Sequence, residues 1–157
     1  MPDVPALLTS KPRTGALCCE VSEWLASWNP NPDDSLPPEI VAALPALRTE
    51  ARSVMAPASA REFLVALDLL WKFARTFGIK ATPEEVEEAT QAYRASLADL
   101  PLDLLAEAIQ RTKAAWTYRN LPLPAEIRAH ISDQLTRRRL IANRLRLAEM
   151  YARWATT

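Results

Sequence analysis

The sequence predicts an all-α fold, a small bundle of five or six helices. Apolar residues recur at spacings of three and four along most of the chain, which is typical of amphipathic helices. Paired start and stop signals divide these runs into helical lengths. No segment has the alternating apolar pattern that would require a strand.

The N-terminal part has the composition of a tail. Residues 1–14 contain three prolines and no apolar periodicity, so we expect this stretch to be mobile. One short amphipathic helix follows, indicated by four apolar residues on one face, Val21, Trp24, Leu25 and Trp28. The stretch "NPNPDDSLPP" ends it, because each proline removes a backbone donor and disfavours helical angles in the preceding residue.

We therefore assign residues 1–36 to a tail with one helix, and residues 37–157 to a helical bundle domain. The first helix of the bundle is expected from Pro38 to about Met55. Pro45 lies inside this helix and predicts either a kink or a division there.

The helix predicted over residues 59–77 has the clearest signals. Ser59 and Glu62 match a capping box, in which hydroxyl and carboxylate satisfy backbone donors at a helix start. Its core-facing stripe is predicted as Phe63, Leu67, Leu70, Ala74 and Phe77. Gly78 follows where the residue after a helix often takes left-handed angles.

Two further helices are predicted over residues 83–98 and 101–117. Thr82, Pro83 and Glu85 repeat the start signal at the N-cap, N1 and N3 positions. Pro101 then restarts the chain after a short interruption.

The stretch "WTYRNLPLPAEI", residues 116–127, holds the densest punctuation. Pro122 and Pro124 stop the preceding helix, and Pro124 supplies helical φ at the start of the next. Neither glycine nor proline occurs from there to Trp154, so one long C-terminal helix over residues 124–154 is predicted, about 45 Å in length. A break near Thr136 is the alternative.

Composition excludes several kinds of chemistry. The only glycines, Gly15 and Gly78, leave no phosphate-binding loop, and the single histidine, His130, leaves no histidine-pair zinc site. The adjacent Cys18 and Cys19 lack metal-ligand spacing and fit a reducing compartment. We expect no catalysis, cofactor or metal, and a cytoplasmic protein without a signal peptide or membrane span.

Charge is balanced overall but not locally. The chain has 19 basic and 19 acidic side chains, whereas residues 82–107 contain seven acids and one arginine. Four of these acids, Glu84, Glu85, Glu87 and Glu88, lie near a helix start, where the helix dipole favours negative charge. They predict either a solvated helix end or a face that receives a basic partner.

The C-terminal part has the opposite bias, with six arginines against Glu149 over residues 137–153. A basic helix carrying aromatic and aliphatic residues can follow a phosphate backbone or dock into an acidic groove. It can equally be a core helix with arginines on its solvent side. Candidate residues for contact with protein or single-stranded DNA are Arg137, Arg138, Arg139, Arg144, Arg146, Tyr151 and Trp154.

The run "YRASLADLPLDLLAEAIQRTKAAWTYRNLPLPAEIRAHI", residues 93–131, resembles a pattern of small helical proteins from phage and prophage replication regions. The matching positions are Tyr93, Leu97, Asp99, Leu100, Pro101, Ala108, Ile109, Trp116, Pro122, Pro124, Ala125, Glu126 and Ile127. The family is similar to the non-ATPase replicative-helicase loaders of tailed phages. The resemblance implies a protein that binds a replicative helicase and helps to place it on single-stranded DNA. The resemblance does not identify which residues of this chain would bind the helicase or DNA.

Three functions are therefore expected, in order of preference. The first is a phage-type replication accessory protein, a helicase loader or helicase-binding adaptor without catalysis of its own. The second is a small phage or mobile-element inhibitor that blocks a host or defence protein through the acidic face. The third is a DNA-binding protein that uses the basic C-terminal helix.

Overall fold

The structure, a computed structural model, describes residues 20–31, 35–117 and 120–156. These residues form helices, turns and connections with no strand, which confirms the all-α prediction. The seven helices in this part of the chain are α1 Glu20–Ser27, α2 Pro38–Met55, α3 Ala60–Thr76, α4 Pro83–Leu97, α5 Leu102–Ala115, α6 Pro124–Ala129 and α7 Ser132–Trp154. The predicted tail, residues 1–14, and the pair Cys18 and Cys19 lie outside the described residues.

The helices group into two compact units. The first unit is Ala56–Asp133, and the second unit combines residues 20–55 with residues 134–156. The structure therefore divides the chain near residues 55 and 133, whereas the sequence suggested a division near residue 36. The second unit is built from two stretches that are far apart in the sequence.

The helix ends of the first unit follow the local sequence signals. Ser59 N–H donates to Glu62 Oε2 at 2.8 Å, and Glu62 N–H donates to Ser59 Oγ at 3.2 Å, so the capping box is complete. Thr82 and Glu85 repeat the same pair of bonds at 2.8 and 3.2 Å. Gly78 takes φ +75°, and its N–H donates to the Arg75 carbonyl oxygen. These bonds confirm both predicted helix starts and the predicted glycine stop.

Phe77 is a correction to the predicted core stripe of α3. It is the C-cap residue of α3, and its side chain is 58% exposed. Because the chain leaves the helix at this residue, its ring does not continue the stripe. It instead lies 4.9 Å from the Phe73 ring and 6.2 Å from the Trp116 ring, centroid to centroid.

The predicted long C-terminal helix is confirmed as α7, Ser132–Trp154, but its predicted start at residue 124 is wrong, because Pro124–Ala129 form a separate helix, α6. Neither proline nor glycine causes the break, and it does not occur near Thr136. His130 and Ile131 donate to carbonyl oxygens three residues earlier, at 3.3 and 3.2 Å, so the backbone tightens there. Arg111 of α5 donates to the His130 carbonyl oxygen at 2.7 Å, which satisfies an acceptor at the break.

The first unit buries a continuous apolar core. Phe63, Leu67 and Leu70 of the predicted core-facing stripe are buried, and so are Leu105, Ile109 and Ile127 of the following helices. Leu97, Leu100 and Leu104 complete the centre with at most 1% exposure. Burial of such side chains is the main favourable term for this unit.

Two polar contacts bind the proline-rich connection and α6 to α4. The Tyr93 hydroxyl donates to the Pro122 carbonyl oxygen at 2.6 Å. Arg128 donates through both terminal nitrogens to Asp99, each at 2.7 Å, and also to the Ser96 carbonyl oxygen. The hydrogen bond to Asp99 raises the pKa of Arg128 above its ordinary value. Pro122 therefore presents its carbonyl to a buried tyrosine, whereas the preceding helix has already ended at Ala115.

The second unit packs α1, α2 and the greater part of α7 around its own core. Its buried residues are Leu25, Trp28, Ile40, Leu44, Leu47, Ala51, Ile141, Leu145 and Ala148. α2 continues through Pro45 without division, and the Thr49 hydroxyl donates to the Pro45 carbonyl oxygen at 3.2 Å. No helix in the described ranges is both long enough and apolar enough to cross a membrane.

Candidate functional site

α7 has one face turned into the second unit. Ile141, Leu145 and Ala148 are buried, and their spacings of four and three place them on one side of a helix. The arginines predicted as binding residues surround this side or lie opposite to it. Their environments separate them into two groups.

The Arg144 side chain makes its hydrogen bonds inside the second unit. Its Nη1 lies 3.1 Å from the Leu25 carbonyl oxygen and 2.9 Å from that of Ala26, and it also donates to the Trp28 carbonyl oxygen. The Leu25 and Ala26 carbonyls belong to the last turn of α1, and Trp28 directly follows this helix; at such a helix end helical partners are missing and the dipole favours a cation. Arg144 therefore caps α1 and is half-buried there.

Three more of the predicted residues also make contacts within this unit. Arg137 forms an ion pair with Glu23 of α1, and Arg138 donates to the Val54 carbonyl oxygen at 3.2 Å. The Tyr151 ring meets the Trp28 ring edge to face, with centroids 5.6 Å apart. One edge of α7 is therefore occupied by α1.

The remaining predicted residues, Arg139, Arg146 and Trp154, are exposed, and Trp154 is 65% exposed. Four exposed apolar side chains lie on this side of α7 and form what we call the outer stripe: Leu140, Leu147, Met150 and Trp154. Three exposed arginines run beside it and form the arginine row: Arg139, Arg146 and Arg153. Leu140, Leu147 and Trp154 repeat at intervals of seven residues, as do the three arginines, and Met150 follows Leu147 by three, so each set stays on one side of the helix.

Sequence reasoning did not identify the outer stripe as a set. Leu140, Leu147 and Met150 are apolar residues of a type that is usually buried, and Arg153 was counted only in the charge balance. The seven-residue interval between Leu140, Leu147 and Trp154 is the signal that marks them as one face. Buried and exposed apolar residues alternate on this helix, which hides that interval.

The four glutamates predicted as an alternative site are all exposed at the start of α4. Glu85 differs from the other three in having a structural role, because its carboxylate completes the capping box with Thr82. Part of the acidic excess of this region is neutralised locally. Asp99 pairs with Arg128 at 2.7 Å, and Glu107 pairs with Arg111.

A cluster of aromatic rings lies at the end of α3. Phe73 lies 5.2 Å from Trp116 between ring centroids, and the Lys113 Nζ lies 5.3 Å from the centroid of the Phe73 ring. The Trp116 indole N–H donates to the Asn120 carbonyl oxygen at 3.0 Å. These contacts hold the α5–α6 connection against α3, which gives the aromatic cluster a structural role.

Within the described ranges, no group of three His, Cys, Asp or Glu side chains is placed to hold a metal ion. No protein-family model matches the chain, and no curated protein or solved structure matches it. We take the outer stripe with the arginine row as the candidate site, because it combines exposed apolar and exposed cationic side chains on one helix.

Proposed function

We propose that this chain is a non-catalytic adaptor that binds another protein through the outer face of α7. Following the resemblance of residues 93–131, we further propose that the partner is a replicative helicase and that the chain acts in the cytoplasm in phage-type DNA replication. The observation that carries the proposal is the outer stripe, four large apolar side chains exposed in a row beside three exposed arginines.

Physical chemistry supports a protein partner for this face. Apolar surface removed from water contributes about 25 cal/mol per Å². Aromatic and arginine side chains supply most of the affinity at protein interfaces, usually from a few central positions. Trp154, flanked by Leu147 and Arg146 or Arg153, has the composition of such a centre. Helical support on the opposite side, from Ile141 and Leu145, holds these side chains in place before binding.

The residues of the resemblance have a role separate from this surface. Tyr93, Leu97, Leu100, Ile109 and Ile127 are buried in the first unit. The pattern therefore describes how one unit is held together, while the proposed contact residues lie in the other. This is why the resemblance suggests a class of protein without naming its binding residues.

The inhibitor function remains a second candidate because of α4. Glu84, Glu87 and Glu88 are exposed over two turns of this helix, and α4 buries only Tyr93 and Leu97. A basic surface of a host or defence protein would complement these carboxylates. Binding through this face would be lost on substitution of the three glutamates by glutamine and would persist when the outer stripe is altered.

A binding experiment tests the adaptor function. Purified hexameric replicative helicase, from the same genome or its host, is titrated with the full chain, and the dissociation constant is measured by interferometry. We expect Leu147→Ala combined with Trp154→Ala to weaken binding by roughly 30-fold or more, because both remove anchors. The matched control is Leu64→Ala, which removes an apolar side chain that is 46% exposed on α3.

Three results would contradict the proposal. Absence of helicase binding by the unaltered chain would remove the helicase as partner. Full affinity of the double variant, with the helical circular dichroism spectrum unchanged, would move the contact away from α7. ATP hydrolysis by the pure chain, abolished by a substitution within it, would contradict the non-catalytic assignment.

A further inference from the structure

The seven-residue intervals on α7 carry a more specific inference about what covers this face. Leu140, Leu147 and Trp154 are seven residues apart, and Met150 follows Leu147 by three. In a two-helix coiled coil the a and d positions alternate in steps of three and four. In this register Leu140, Leu147 and Trp154 take a positions and Met150 takes a d position, while the d position between Leu140 and Leu147 is Asn143. On a straight helix the four side chains of the outer stripe fall within about 80° of the circumference. The outer stripe is thus a seam of the width that one partner helix covers.

Both edges of this seam carry positively charged arginines, and the two edges differ in what surrounds them. Arg137, Arg144 and Tyr151 occupy the e positions, and their side chains contact α1. The arginine row occupies the g positions on the other edge and runs for about 21 Å along the helix. All three arginines of the row are exposed.

We infer that the occupant of the seam is an acidic amphipathic helix of the partner protein, packed in heptad register against α7. This inference deepens the proposed function and rests on its assignment of the outer face as the binding surface. Apolar residues of the partner helix would pack between the side chains of the outer stripe. Its Glu or Asp residues would lie against the arginine row, where ion pairs at e and g positions select the partner.

The same charges argue against a second copy of this chain. In a parallel pair in register, a g residue of one helix faces the e residue five positions later on the other, which would set Arg139 against Arg144. In an antiparallel pair, Arg139 would face Arg153 or Arg146 of the second helix. Like charges in such positions are destabilising, so the seam repels itself.

Nucleic acid fits this face less well than a helix does. A phosphate backbone binds cations and gains little from aliphatic side chains. Here Leu140, Leu147 and Met150 occupy the centre of the face, and the cations lie at its edge. Only Trp154 offers a ring on which a base can stack.

The test uses a synthetic helical peptide of three heptads with leucine at the a and d positions and glutamate at e and g. The control peptide has lysine in place of each glutamate. Binding of each fluorescently labelled peptide to the full chain is measured by anisotropy. We expect the glutamate peptide to bind at least about tenfold more tightly than the lysine peptide.

Variants of the chain then assign the effect to the seam. Arg146→Glu should weaken binding of the glutamate peptide and strengthen that of the lysine peptide. Leu147→Ala should weaken binding of both peptides. Arg94→Glu on α4, a charge reversal of an exposed arginine elsewhere, should change neither. Circular dichroism of each variant confirms that the helices are retained.

Several outcomes would overturn the inference. One is equal affinity for the two peptides, and another is insensitivity of the glutamate peptide to Arg146→Glu. Displacement of the peptide by a thymidine oligonucleotide or by anionic phosphatidylserine vesicles at lower concentration would assign the face to nucleic acid or to a lipid surface. A concentration-dependent dimer that Leu147→Ala abolishes would assign it to a second copy.

Failure of this inference can be distinguished from failure of the proposed function. If the glutamate peptide binds as expected and the helicase does not bind, the seam stands and the helicase is the wrong partner. If the helicase binds and an excess of the glutamate peptide does not compete, the adaptor function stands and the helical occupant is wrong.

Discussion

The two compact units are built from similar helices, but each is held together internally by a different kind of contact. The first unit is one continuous stretch, and its helix ends are set by neighbours three residues away, as at Ser59 and Thr82. The second unit joins two distant stretches, and the Arg144 contacts with α1 link residues 116 to 119 positions apart. Short-range contacts are visible in a sequence, whereas long-range contacts of this kind are not.

Arginine shows the same difference at the level of one side chain. Arg128 in the first unit lies against a carboxylate, so its charge is neutralised by Asp99. Arg144 in the second unit lies against neutral backbone carbonyls at a helix end, where the partner is the helix dipole. Both are half-buried, and both are structural, yet only the first has an acidic partner.

Truncation of core leucines should give the largest effect and compares the two cores directly. Leu104→Ala in the first unit and Leu145→Ala in the second should each lower the local free energy of unfolding by about 3 kcal/mol, because each leaves a cavity. Hydrogen exchange of each unit measures this loss. The controls are the exposed Leu64→Ala and Leu147→Ala, with an expected cost of about 0.5 kcal/mol or less.

A much smaller loss for Leu145→Ala than for Leu104→Ala would change the comparison. It would mean that the polar contacts of α7, and not its apolar face, hold the second unit. Equal losses would mean that both units are stabilised mainly by their cores, with the polar contacts fixing geometry.

Alkaline pH should weaken the first unit through Tyr93. Burial, followed by the nearby Glu126 charge, raises the pKa of Tyr93 from 10.0 to about 12. Below pH 10 the tyrosine is protonated in both states, so its contribution is constant. Between pH 10 and 12 the unfolded state releases the proton first, and stability falls by up to about 3 kcal/mol.

Tyr93→Phe provides the control for this pH dependence. The variant should lose about 1 kcal/mol at neutral pH, because the Pro122 carbonyl oxygen loses its donor. Its stability should then decline less than that of the unaltered chain between pH 10 and 12, as followed by circular dichroism in urea. Parallel declines would mean that Tyr93 does not titrate differently on folding.

Removal of the Arg144 side chain should have the next largest effect, confined to α1. Arg144→Ala should destabilise this helix by about 2 kcal/mol, because carbonyl oxygens in its last turn lose a charged donor. Hydrogen exchange at residues 20–28 measures this change, and Arg146→Ala on the exposed side is the matched control. Arg144→Lys should restore only part of the protection, since one ammonium group cannot reproduce the planar guanidinium. Unchanged exchange in Arg144→Ala would show that core packing alone holds α1.

Much of the fold was predictable because its signals are local. The all-α class, the two capping boxes and the Gly78 stop follow from residues within a few positions of each other. The break at His130 was missed, since its carbonyl partner is Arg111, 19 residues earlier on another helix. Phe77 was misplaced because a periodic pattern does not show where a helix has already ended.

The candidate site was predictable only in outline. The basic bias of residues 137–153 drew attention to α7, and Arg139, Arg146 and Trp154 are exposed there. Arg144 and Tyr151 have the same appearance in the sequence, but their contacts with Leu25 and Trp28 depend on how distant helices meet. The binding role of the exposed residues stays a prediction.

The discontinuity of the second unit has a consequence for the order of folding during synthesis. The first unit lies in one uninterrupted stretch, so all of it has been synthesised before Arg144 is added to the chain. α1 and α2 emerge earlier still, yet the residues that cap and cover them, such as Arg144 and Ile141, arrive more than a hundred positions after Leu25. We therefore expect nascent α1 and α2 to remain without stable partners until α7 is released from the ribosome.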